Sequence, residues 1–96
     1  MEYGFYTTIP GPFDVAVQRV TDGLKKEGFG VLSDIDIQKA MMEKLGKEMP
    51  AYRILGACNP PLAHKAIQAE PNVGLLLPCN VTVRDLGTGE VIVGFL

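Results

Sequence analysis

The chain has no tryptophan, a single histidine and only two cysteines. Cys and His together therefore cannot fill a tetrahedral zinc site within one chain, and no C-x-x-C or H-x-x-x-H spacing offers a starting pair. Pooling Cys58, Cys79 and His64 from two chains would supply enough ligands, but without that spacing no metal site and no cofactor is expected. A basic excess is also missing. Nine Lys+Arg stand against 11 Asp+Glu, a net charge of −2, and the one adjacent basic pair is Lys25-Lys26. A nucleic-acid partner would call for a basic stripe, so none is expected. No apolar run approaches the roughly 18 residues of a membrane span. The start, MEYGFYTTIPGPFD, lacks the basic flank and apolar core of a signal peptide, so the expectation is a cytoplasmic protein without a membrane partner.

What is present is ordinary globular material. Hydrophobic residues make up 47% and charged residues 21% of 96, which excludes disorder, collagen-like structure and a coiled coil and gives a single domain over residues 1–96. The apolar share is high for a chain this short, which buries only a modest fraction of its surface. Apolar surface is therefore left over, and a homodimer is the cheapest cover for it.

Hydrophobic periodicity places the elements. Tyr3 to Ile9 alternates aromatic and β-branched residues as a strand does. Pro10-Gly11-Pro12 stops it, with Gly11 expected as N-cap and Pro12 as the first helical residue. From Pro12 to about Glu27, Phe13, Ala16, Val17, Val20 and Leu24 share one helical face, Asp14 lies in the first turn and Gly28 is the stop. Phe29 to Ile35 reads as a strand. Asp36 then caps a helix carrying Ile37, Met41 and Leu45 and ending at Gly46. Met41, Met42 and Met49 read as gap-filling core or interface residues.

Ala51 to Cys58 is a third strand, and Asn59-Pro60-Pro61 opens a helix to about Ala69, broken by Glu70-Pro71-Asn72. Val73 to Arg84 presents a continuous odd-numbered apolar row and is predicted as one long strand, with Pro78 marking an edge or bulge. Asp85 to Glu90 is a hairpin connection to a last strand, Val91 to Leu96. The order is β-α-β-α-β-α-β-β. The closing hairpin and the absence of a glycine-rich βα turn favour an α+β fold over a doubly wound parallel sheet.

Two Cys-Asn pairs beside proline are the candidate chemistry. Cys58 precedes a helix start, where the dipole favours a thiolate. Asn59 suits the N-cap and would accept from the amide of Leu62, because Pro60 and Pro61 have none; the same prolines remove donors that an anion would use. Cys79 lies in the apolar row with Leu77 and Val81, and burial is the ordinary fate of such a cysteine. If both cysteine rows face one side of neighbouring strands, the thiols converge. His64 falls with Gln68 on the polar face of its helix, as solvated histidines do. Arg53, Arg84 and Asp85 read as a solvated sheet face.

The stretch Tyr52-Arg53-Ile54-Leu55-Gly56-Ala57-Cys58-Asn59-Pro60-Pro61-Leu62-Ala63-His64-Lys65-Ala66, then Glu70-Pro71, then Gly74-Leu75-Leu76-Leu77-Pro78-Cys79-Asn80-Val81, resembles the domain of unknown function 302 family. The Phe13-x-x-Ala16-Val17 helix, Lys26-Glu27-Gly28-Phe29-Gly30-Val31 and Asp34-Ile35-Asp36 fit the same pattern, so the resemblance spans essentially the whole chain. It implies a curved, mainly antiparallel sheet with helices packed against it, a topology loosely like that of the TATA-binding protein, and dimers, with no established activity. It implies a shared site at Cys58, Asn59, Pro60, Pro78 and Cys79. Family members usually continue into a helix after the last hairpin, and this chain is expected to lack it.

Two functional readings stand side by side. One is a small dimeric binding or regulatory domain with a small-molecule cleft bordered by Cys58, Asn59 and Cys79. The other is a thiol enzyme or redox switch with Cys58 as nucleophile and Cys79 as its resolving partner.

Overall fold

The structure is a computed structural model that describes residues 4–96; the predicted strand start at Tyr3 lies outside them. The elements are β1 (Phe5–Pro10), α1 (Phe13–Lys26), β2 (Gly30–Asp36), α2 (Ile37–Leu45), β3 (Tyr52–Cys58), α3 (Pro60–Ala69), a short 3-10 helix (Pro71–Leu76), β4 (Cys79–Asp85) and β5 (Glu90–Phe95). The strands form one antiparallel sheet in the order β1-β5-β4-β3-β2. The fold is α+β, with the element order expected from the sequence.

Alternation along the central strands decides what is buried. Leu55 and Ala57 of β3, Val81 and Val83 of β4, and Val91 and Val93 of β5 point to one face and are buried there against Ala16 and Val17 of α1. Phe13, Val20 and Leu24 of the same helical stripe pack around them, whereas Val15, which falls off the stripe, is exposed. Period-two apolar rows have thus met a period-3.6 stripe. The opposite sheet face carries Tyr52, Ile54, Gly56 and Cys58 of β3 with Asn80, Thr82 and Arg84 of β4, and is only partly shielded.

Local chemistry sets the ends of the helices. Pro12, with extended backbone, is the N-cap of α1 and Phe13 its first residue, one position later than expected, because Pro12 takes ψ of 162° rather than a helical value. After α1, Gly28 takes φ of +85°, which an L side chain rarely adopts, and the chain turns into β2. Asp36 caps α2 by accepting from the Lys39 amide at 2.9 Å. Asn59 caps α3 by accepting from Leu62 at 3.2 Å. In the β4–β5 hairpin, the Asp85 carboxylate accepts from Gly87 N–H at 2.9 Å.

The long strand predicted from Val73 to Arg84 is two elements. Pro71–Leu76 forms the 3-10 helix, and β4 begins only at Cys79. Pro78 ends the break rather than marking a bulge within a strand. Its ring lies over Gly56, where a Cβ would come within 2.7 Å of Pro78 Cγ and closer still to Ser33 Oγ. Only glycine admits that approach. The helix α3 packs chiefly on the 3-10 helix and leaves Leu62 and Ile67 exposed. In α2, Met42 and Leu45 are likewise exposed, so of the methionines expected in the core or an interface Met42 is not a core residue, while Met41 and Met49 are half-buried. Among the described residues, no helix is long and apolar enough to cross a membrane.

One ion pair ties β2 to β3. Arg53 donates to both carboxylate oxygens of Asp34, at 2.7 Å and 2.5 Å. Arg53 is therefore paired at the margin of the helix-bearing face, not freely solvated. The hydrogen bond from Arg53 lowers the Asp34 pKa against an opposing effect of partial burial.

Two measurements check this packing. Leu55→Ala removes a fully buried side chain and is expected to cost about 2–5 kcal/mol in urea unfolding, a large share of the stability of a small domain. Asp34→Asn is expected to cost no more than about 1 kcal/mol near neutrality, because the pair is partly exposed. The folded-state pKa of Asp34 is depressed, so its contribution is present above the ordinary carboxylate value and lost as pH falls through the depressed one. The gap between wild type and Asp34→Asn should accordingly begin to narrow below a pH of about 3.9 and close only below the depressed value.

Candidate functional site

The sheet is wider than the single helix that covers its middle, and an apolar cleft opens where cover stops. Val20, Gly23 and Leu24 of α1 form one wall, Leu75, Leu76 and Leu77 the other. Ala57, Val81 and Val93 form the floor, Phe95 and Leu96 one end, and the volume is about 650 Å³. That is within the range of small-molecule sites. Polar groups are sparse: Glu27 lies at the α1 side, and Cys79 and Asn80 lie where β4 enters. The rim is unusually apolar for a surface, with Leu75, Leu76 and Leu96 exposed by 90%, 78% and 79%.

Of the residues singled out in the sequence, Pro78 and Cys79 line this cleft. Cys58, Asn59 and Pro60 are not among its lining residues. Asn59 caps α3, and Pro60 is the first residue of that helix. His64 is exposed, on the polar side of α3 as expected.

The expected convergence of the thiols does not occur. Ala57 is the partner of Cys79 across β3 and β4, so Cys79 shares a face with Ala57 and the cleft. Cys58, the next residue along β3, projects to the opposite face. Both cysteines are free; Cys58 is half-buried and Cys79 exposed. A one-residue difference in register separates them as completely as distance would.

The residues that sequence reasoning missed are the apolar walls, Val20, Leu24, Leu75 and Leu76 above all. A signal existed in Gly74-Leu75-Leu76-Leu77 directly before Pro78, an apolar run beside a residue that cannot donate to a ladder. Assigned to a strand, those leucines had an apparent place in the sheet. In the structure Leu75 and Leu76 belong to the 3-10 helix and Leu77 follows it, and all three line the cleft. Among the described residues no group of three or more His, Cys, Asp or Glu side chains gathers to hold a metal.

Comparison with known proteins agrees with this architecture. The family profile described as "Domain of unknown function DUF302" matches residues 5–96. A similar solved structure is the crystal structure of an uncharacterized conserved DUF302 protein from Bacillus stearothermophilus, with a TM-score of 0.87 and 27% sequence identity, covering 99% of this chain and 73% of that one. No curated protein matches. With the family profile spanning nearly every described residue and the fold shared with that structure, the chain belongs to the DUF302 family.

Proposed function

We propose that this domain is a self-associating binding module that holds an apolar small molecule in the cleft between α1, the 3-10 helix and the ends of β4 and β5. The cleft itself carries the reading. Its floor and walls are aliphatic, its few polar groups sit at the rim, and Leu75, Leu76 and Leu96 gain most by being covered. Such a lining selects by shape and apolar area; Cys79, Asn80 and Glu27 would orient a polar end of the ligand.

The surface of the chain supports self-association. Its accessible area is 6831 Å², about a quarter more than a folded monomer of this mass exposes. The radius of gyration, 14.7 Å, likewise exceeds the roughly 12.5 Å of a closely packed chain of this length. The excess, roughly 1,400 Å², is larger than the ~800 Å² that each partner buries in a standard interface. A reaction relayed between Cys58 and Cys79 draws no support from side chains on opposite sheet faces.

Binding of 1-anilinonaphthalene-8-sulfonate, followed by fluorescence, tests the cleft. Leu75→Asp changes a side chain that is 90% exposed, so the fold should be unaffected. Covering a leucine contributes about 1.5–3 kcal/mol, so the probe is expected to bind at least tenfold more weakly. Leu45→Asp, on the exposed side of α2, should leave binding unchanged. Equal probe affinity in wild type and Leu75→Asp would remove the cleft from the account. Alkylation by iodoacetamide gives a second check. Cys79 should react faster than Cys58, and bound probe should slow Cys79 alone; protection of Cys58 instead would place the ligand on the other face.

A further inference from the structure

The two edges of the sheet are built differently. At one edge, β2 is interrupted by a register shift between Val31 and Ser33 and carries Asp34 and Asp36. A bulge and acidic side chains are recognised means of stopping an edge strand from pairing with another chain. The other edge, β1, has neither. Its sequence, Phe-Tyr-Thr-Thr-Ile-Pro, contains no charge, and its pairing with β5 runs without a shift from Phe5 to Pro10.

β1 is also poorly covered on its faces. The helix α1 lies against β2, β4 and β5, while the packing of β1 is chiefly with β5. Five of its six residues are exposed and only Ile9 is half-buried. Phe5, stacked on Phe95 at 6.0 Å between centroids, is still 65% exposed, and Tyr6 47%. Every alternate N–H and C=O of such a strand points away from the sheet. Aromatic and β-branched side chains flank those groups, the composition that pairs most favourably across strands.

We infer that β1 is the self-association surface, pairing antiparallel with β1 of a second copy so that the two sheets become continuous. This rests on the self-association proposed above and names its interface. A two-fold axis perpendicular to the sheet relates the copies, so residues of like parity oppose each other. Placing the axis at Thr7 sets Thr7 against Thr7, Phe5 against Ile9 on the helix-bearing face, and Tyr6 against Thr8 on the other. Pro10, which has no N–H to give, then falls outside the paired stretch. The occupant is a second copy rather than a foreign strand, because the strand is complementary to itself in this register and the excess surface is more than the ~800 Å² a protomer gives to a standard dimer interface.

Sedimentation equilibrium on the full chain tests the inference. Thr7→Lys puts two like charges directly opposite each other across the axis. It is expected to raise the dimer dissociation constant by about 100-fold or more, while Leu32→Lys on the β2 edge leaves it unchanged. Thr7→Glu should weaken the dimer similarly, and mixing the Thr7→Lys and Thr7→Glu chains should restore association as a heterodimer. That recovery also shows that both variants fold. A wild-type chain that remains monomeric at micromolar concentration would overturn self-association and this interface together. A wild-type dimer unaffected by Thr7→Lys, or variants that do not recover on mixing, would leave self-association standing and overturn the β1 pairing.

Discussion

The structure depends on one contact: the stripe of α1 laid across the aliphatic face of the sheet. Ala16 and Val17 meet Leu55, Ala57, Val81, Val83, Val91 and Val93, and these are the buried hydrophobic residues. Among the described residues, nothing of comparable size supports the rest. A small chain has little interior to spare, and here a single helix supplies nearly all of the cover for one face of a five-stranded sheet. The cleft, its exposed leucines and the unguarded edge at β1 are all consequences of that shortfall.

Much of this was legible in the residues. The α1 stripe could be read because five apolar positions recur with the helical period and are closed by Pro12 and Gly28. The caps at Asp36 and Asn59 could be read because each is a short polar acceptor placed just before a helix. Val73 to Arg84 failed for a definable reason. Its odd-numbered apolar row runs unbroken through Pro78, and a short 3-10 helix has too few residues for its own period to overrule that alternation. Pro78 was the competing signal, and it was the correct one.

The candidate site was less legible, because it depended on register. Strand parity grouped Cys58 with Tyr52 and Ile54, and Cys79 with Leu77 and Val81. Which of those rows shares a face is decided by the pairing of Ala57 with Cys79, a tertiary fact with no local marker. The result divides the family motif. Pro78 and Cys79 belong to the cleft, whereas Asn59 and Pro60 start α3 and Cys58 lies on the far face. The motif residues thus include structural members: Pro78 seats over Gly56, and Asn59 terminates the free amides of a helix that begins with two prolines.

The one-sided core makes a direct statement about local stability, since opening free energies follow buried apolar contact. Native-state hydrogen exchange at low protein concentration, without ligand, reads it residue by residue. The amides of Leu55, Val83 and Val93 should exchange only through global unfolding. Those of Ala66 to Ala69 in α3 should exchange through local opening, at least about 100-fold faster. Equal protection of α3 and the central strands would contradict the account, because α3 would then belong to the same cooperative core as the sheet.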